Sequence, residues 1–155
     1  GDVVVFQDSD LELDPAELPT LLEPIRQGKA DVVFGSRFLT VRPNMTFLQY
    51  WGNRVINITL GLLYGVRLTD VETCYQMFRR ELVAGQTFQC QHFTFTVELA
   101  LRFIQLGYRI LEIPVSYYPR TVEEGKKLYW KDGFESLWVI VRSRFAARPK
   151  GGKPR

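Results

Sequence analysis

Apolar positions along the chain follow two different spacings, and each predicts its own kind of element. Val3, Val4, Val5 and Phe6 form an unbroken run of β-branched and aromatic residues, the pattern of a strand buried on both faces of a parallel sheet. A second such run, Asp31 to Phe34, leads into Gly35-Ser36-Arg37. Between them the spacing becomes helical. Leu18, Leu21, Leu22 and Ile25 recur on one face, after the start signal Asp14-Pro15-Ala16-Glu17 and before Gly28, which is expected to stop the helix. Pro19 and Pro24 predict that this helix is short or kinked.

Residues 45–64 read as a longer helix with Leu48, Trp51, Val55 and Leu62 near one face. Gly52 lies inside it, where glycine is unfavourable by roughly 1 kcal/mol relative to alanine, and a close packing contact is the expected reason. In "VRLTDVETCYQMFRREL" Asp70 follows Thr69 in a loop, and Arg79-Arg80-Glu81 opens a short helix. Phe95 to Leu106 is helical, with Val97, Ala100, Leu101 and Ile104 inward and Gly107 as the stop. The stretch "YRILEIPVSYYP" alternates and places Leu111, Ile113, Val115 and Tyr117 on one face, while Pro114 predicts an edge strand or a bulge. Phe134, Leu137, Trp138, Val141 and Phe145 complete an amphipathic helix. Strands alternating with helices are the grammar of an α/β sheet.

Composition narrows the class without deciding it. The 155 residues, 46% of them hydrophobic, suffice for one domain with its own core. A net charge of +3 does not suggest a nucleic-acid partner. Arg142, Arg144, Arg148, Lys150, Lys153 and Arg155 crowd the C-terminus, and residues 147–155 read as a basic tail, expected to be disordered. Cys74 and Cys90 lack metal-ligand spacing and read as reduced thiols of a cytoplasmic protein. His92, the single histidine, reads as structural or surface. The longest apolar stretches, such as Leu137 to Val141, fall far short of the ~20 residues of a membrane-spanning helix. The chain opens directly into a strand that needs neighbours on both sides, so further strands are expected upstream.

The candidate chemistry lies where the first strand ends. In "VVVFQDSDLELDP" the carboxylates of Asp8, Asp10 and Glu12 alternate with Ser9 and Leu11, and in an extended segment all three would point the same way. Three like charges on one side call for a cation among them. The plain alternative is a solvated acidic turn in which Asp14 caps the next helix.

The ordered set of D-x-D after a strand, "GSRF" after the next, "TDVETCYQMFRRE", and then "FTFTVELALRF…GYRILEIPVSYYPRT…EGKK" resembles family 2 glycosyltransferases. Within that family it is closest to the branch containing dolichol-phosphate mannosyltransferase and other polyprenyl-phosphate sugar transferases. The resemblance implies a GT-A fold, a Rossmann-like sheet with helices on both faces. It further implies that residues 1–146 are the C-terminal part of a single GT-A domain whose N-terminal nucleotide-binding strands lie upstream. On the same basis Asp8 and Asp10 would hold Mg²⁺ or Mn²⁺ against the diphosphate of a nucleotide sugar, GDP-mannose or a UDP-sugar, with Glu12 as a third ligand. Oxygen ligands suit these hard cations. Arg37 would share the crevice at the strand ends as a substrate-binding residue.

Two acceptors remain open at this level. A sugar hydroxyl must lose a proton to a carboxylate, and Asp70 is the candidate base. A polyprenyl phosphate is already anionic and needs cationic clamps, for which Arg120, Lys126 and Lys127 are the candidates, with Gly125 giving their loop freedom to close. The resemblance favours the lipid phosphate, and with it a peripheral contact at the cytoplasmic face of a membrane. Trp130 and Trp138 are candidates to approach that surface beside the basic tail, with core packing the preferred reading of Trp138. Haloacid-dehalogenase-like phosphatases also carry D-x-D after a strand, but they want Thr or Val at the position of Glu12 and a later G-D-x-x-x-D pair. This chain has neither.

Overall fold

A computed structural model describes residues 1–40, 45–89, 94–120 and 130–146, with Trp130 described by its backbone alone. Eight elements follow one another: β1 (Val3–Val5), α1 (Leu18–Arg26), β2 (Val32–Ser36), α2 (Phe47–Tyr64), β3 (Gln76–Arg79), α3 (Thr94–Gln105), β4 (Ile110–Pro114) and α4 (Trp130–Phe145). Single 3₁₀ turns precede α1 and follow β2 and β3. Asp14 caps the first of them, its Oδ1 accepting from the Ala16 N–H at 2.9 Å.

The strands form one sheet in the order β1-β3-β2-β4. β2 and β4 run parallel, as the strand-helix-strand pattern implies. β3 is antiparallel to both of its neighbours, pairing Val4 with Phe78 on one side and Val33 with Met77 on the other. The sheet is therefore mixed, where the run Val3 to Phe6 predicts a wholly parallel one, and β1 is a half-buried edge among the described residues. β4 lies at the opposite edge, where Pro114 can be accommodated.

Alternation along the strands feeds two cores. Val32, Phe34 and Phe78 face α2, α3 and α4 and pack with Leu60, Val97, Leu101 and Ile140. Val33, Tyr75 and Met77 face α1 and pack with Leu21 and Ile25. Helices thus cover both faces, as the resemblance implies.

Leu48, Trp51, Val55 and Leu62 share one face of α2, as expected, and it is the outward one; the buried residues are Ile56, Asn57 and Leu60. The helix is apolar nearly all round, so its pattern alone cannot say which stripe meets the sheet. Gly52 is not explained by packing, because a Cβ there would meet nothing within 4 Å. The tight glycine is Gly35 at the end of β2, where a Cβ would sit 2.7 Å from Val115 Cγ1 and 2.9 Å from Tyr75 Cβ.

Candidate active site

The acidic turn is built by a chain reversal rather than by an extended strand. The ladder from β1 ends at Phe6, whose N–H donates to the Gln76 carbonyl at 3.2 Å. Leu11 then takes a left-handed conformation with φ of 62°, and Asp10 Oδ1 accepts from the Glu12 N–H at 3.1 Å. The extended geometry that would aim Asp8, Asp10 and Glu12 one way is thereby lost. Each carboxylate acquires different neighbours.

Glu12 is buried beneath the segment that leaves β4. Its carboxylate accepts from Tyr117 Oη at 3.1 Å and from the Arg120 backbone N–H at 3.0 Å, and its carbonyl accepts from the Tyr118 N–H at 2.9 Å. Glu17 fastens the same segment by accepting from Ser116 N–H and Oγ. These bonds bring Arg120 from the far end of the chain to the acidic turn. Its guanidinium lies 3.3 Å from Asp10 Oδ2 and 3.6 Å from Glu12 Oε1. Asp8 is exposed and accepts from Cys74 Sγ. Burial, then the bond to Asp8, pushes the Cys74 thiol well above the usual thiol range, so it stays a neutral donor.

The second half of the site is assembled at the end of β2. Asp70 is fully buried, and Arg37 engages both of its oxygens. Arg37 Nε and backbone N–H donate to Oδ2 at 2.7 and 2.9 Å, and the terminal Nη2 donates to Oδ1 at 2.7 Å. Burial disfavours the Arg37 charge, but attraction and hydrogen bonding to Asp70 outweigh it and hold the guanidinium firmly protonated. Such a planar bidentate pair suits arginine and no other cation. The loop presenting Asp70 is pinned by Glu112 on β4, which accepts from the Thr69 and Asp70 N–H groups at 2.9 and 3.0 Å. Burial raises the Glu112 carboxyl despite these bonds.

Tyr117 joins the two halves. Its hydroxyl reaches Glu12, and its ring lies 5.2 Å from Arg37 Cζ, within cation–π range. Asp10, Glu12, Arg120, Tyr117, Arg37 and Asp70 therefore form one contiguous polar set beside the ends of β1 and β2. Tyr117, Glu112 and Cys74 were absent from the residues expected at the site. Tyr117 reads as core by its alternation, yet it belongs to the segment that carries the family resemblance; a charged Glu112 between Leu111 and Ile113 was the available signal for the second.

Among the described residues no three His, Cys, Asp or Glu side chains are grouped to hold a metal ion. With Glu12 committed to Tyr117 and Arg120, Asp8 and Asp10 are the carboxylates left for one. Two carboxylates with a substrate diphosphate are a donor set that fits Mg²⁺ or Mn²⁺, which are commonly held by few protein ligands plus phosphate oxygens. Lys126 and Lys127, with Gly125, lie outside the described residues, as do Cys90, His92 and the tail 147–155.

A sheet covered by helices on both faces is the GT-A fold, which the solved structures below share. Residues 1–85 match the family described as glycosyl transferase family 2, and the chain belongs to that family. Undecaprenyl-phosphate mannosyltransferase of Micrococcus luteus is 30% identical over 162 residues, covering 99% of this chain and 64% of the relative. Glycosyltransferase AglJ of Haloferax volcanii is 31% identical over 118 residues, covering 76% and 39%. The chain thus spans less than two thirds of the length of these curated relatives. Among solved structures, glucosyl-3-phosphoglycerate synthase from Mycobacterium tuberculosis is similar in fold. With phosphoglyceric acid bound it gives a TM-score of 0.64 at 19% identity. Its complex with Mn²⁺, uridine-diphosphate-glucose and glycerol 3-phosphate gives 0.58 at 20%. Each comparison covers 92% of this chain and 50% of the other.

Proposed function

We propose that the protein transfers a hexose from a nucleotide sugar, GDP-mannose or a UDP-sugar, to a polyprenyl phosphate, with inversion at the anomeric carbon. The observation that carries this reading is the state of Asp70. A carboxylate with both oxygens bound to a buried guanidinium is poorly placed to take a proton, while Arg37 and Arg120 offer cationic groups to an anionic acceptor. The phosphate oxygen attacks the anomeric carbon as the bond to the nucleoside diphosphate breaks, and no proton has to be removed. Asp70 serves as a positioning residue that fixes the plane of Arg37. Arg120, with Lys126 and Lys127, would neutralise the acceptor phosphate.

Asp8 and Asp10 would hold Mg²⁺ or Mn²⁺. The cation supplies Lewis-acid stabilisation of the charge that develops on the departing diphosphate. Glu12 holds Tyr117 and Arg120 in place beside it. The relative from Micrococcus luteus, an undecaprenyl-phosphate mannosyltransferase, supports this acceptor class. Such an acceptor sets the protein at the cytoplasmic face of a membrane, where nucleotide sugar and lipid phosphate meet.

The experiment is transfer of labelled hexose to polyprenyl phosphate by the full-length protein across a metal titration. Activity should require Mg²⁺ or Mn²⁺, and Asp10→Asn should lower turnover on the order of 100-fold or more, the scale of several kcal/mol of lost charge stabilisation. Full activity in excess chelator would overturn the metal assignment.

A further inference from the structure

Two asparagines, Asn53 and Asn57, stand one turn apart inside α2, where asparagine is a poor helix former. Both are used in the same way. Asn53 Nδ2 donates to the Gln49 carbonyl at 2.9 Å, and Asn57 Nδ2 donates to the Asn53 carbonyl at 2.8 Å. Each amide, hooked to the carbonyl four residues back, has its Oδ1 turned out of the helix as an acceptor. Asn57 Oδ1 receives the Val71 N–H at 2.9 Å, and Asn53 Oδ1 receives Arg37 Nη2 at 3.4 Å. These donors flank the buried pair of Arg37 and Asp70: one belongs to the residue after Asp70, the other to the guanidinium itself. Asn57 is buried and Asn53 half-buried.

The consequence lies in the donors left to Arg37. Nε donates to Asp70 Oδ2, while Nη2 donates to Asp70 Oδ1 and to Asn53 Oδ1. A guanidinium has five N–H groups, and the remaining two are both on Nη1. Nη1 has no hydrogen-bond partner among the described residues and is not sealed from solvent. An oxyanion prefers to lie across two parallel N–H groups of an arginine. Asp70 takes the pair on Nε and Nη2, and Asn53 takes the Nη2 half of the other pair, so a ligand is left with Nη1.

We infer that Asn53 is a positioning residue of the acceptor site: by occupying Arg37 Nη2 it confines an incoming phosphate to Nη1. Asn57 seats the backbone beside Asp70 by the same device. The inference deepens the lipid-phosphate reading, and its acceptor part rests on that reading; the blocking of Nη2 does not.

The test uses the full-length protein and two variants that move in different directions. In Asn53→Asp a carboxylate meets the same N–H, so the bond to Arg37 is kept while a negative charge is set beside the place of the anion. Steady-state transfer, with each substrate varied in turn, should show KM for polyprenyl phosphate raised about tenfold and KM for the nucleotide sugar within about twofold of the parent. Asn53→Ala frees Nη2 without adding charge, so the phosphate can settle across Nη1 and Nη2, out of line for attack. Its kcat should fall roughly fivefold with the acceptor KM unchanged or lower. A residue with only a structural role would lower the melting temperature and shift both KM values together. Calorimetric titration of inorganic phosphate, without donor or lipid, gives a readout free of transfer: Asn53→Asp should bind it about tenfold more weakly than the parent.

Equal phosphate affinity in the parent and in folded Asn53→Asp would overturn the inference. So would a rise in the nucleotide-sugar KM alone, since Arg37 would then serve the donor. Should Asn53→Asp fail to fold, Asn53→Ala decides, and kinetics equal to the parent's would overturn it. Weakened phosphate binding in a protein that transfers nothing to polyprenyl phosphate would refute the lipid acceptor and leave the positioning of Arg37 standing.

Discussion

At Asp70 a carboxylate has left water completely and is compensated by Arg37, through its guanidinium and its backbone N–H. Removing that partner should be costly. Arg37→Ala is expected to destabilise the fold by about 3–5 kcal/mol, the usual result of stranding one member of a buried pair, measured by urea unfolding. Arg120 has the opposite relation to its neighbours. Its guanidinium shares Asp10 with any cation bound there, so Arg120→Ala should raise Mn²⁺ affinity, by about tenfold if the competition is direct. Calorimetric titration would show it, and a weaker affinity would mean that Arg120 organises the carboxylates instead. Glu72 supplies a prediction about pH. Burial raises its carboxyl above the ordinary glutamate range, only partly opposed by the bond from Ser136 Oγ at 2.8 Å. Because the folded value is the higher one, this group's contribution to stability is fully present below the ordinary glutamate range and is lost as pH rises through the raised value. Glu72→Gln should abolish that part of the slope, and chemical unfolding of both proteins across this window would detect the difference.

Elements were legible where a local signal and the tertiary contacts agree. α1 and α3 each carry one apolar stripe and end near glycine, at Gln27–Gly28 and at Leu106–Gly107. β3 escaped the sequence because its four residues, Gln76 to Arg79, place a polar side chain in the core. Gln76 is tolerated there since its Nε2 donates to the Val71 and Thr96 carbonyls at 3.2 and 3.1 Å, partners that exist only once the chain has folded. The same holds for α2, where buried Asn57 accepts from the Val71 N–H at 2.9 Å and thereby selects a face that hydrophobicity leaves ambiguous. In the acidic turn the residue types were legible, but their directions were not, because nothing in Leu11 itself announces a left-handed backbone. At the end of β2 the close approach of Val115 and Tyr75 gives Gly35 a measurable role. Gly35→Ala should cost roughly 1–3 kcal/mol through overpacking and lower the melting temperature.

On the scale of the whole molecule, the described sheet offers diphosphate-side and acceptor-side groups beside the ends of β1 and β2, and an edge at β1. The 155-residue chain by itself is accordingly expected to bind nucleotides weakly, only with metal, and with little preference between uridine and guanosine diphosphates; tight binding of one of them in calorimetry would reveal a base pocket within these residues. The central claim concerns the acceptor: an anionic phosphate, met by arginines, with no general base. It is tested most directly by steady-state transfer from the nucleotide sugar to polyprenyl phosphate and to the neutral polyprenol of the same length, using the full-length parent protein and Asp70→Asn. Transfer is expected to polyprenyl phosphate alone, with Asp70→Asn retaining more activity than Lys126→Ala. Comparable transfer to the neutral alcohol or to a free sugar, abolished by Asp70→Asn, would make Asp70 a base and contradict the account.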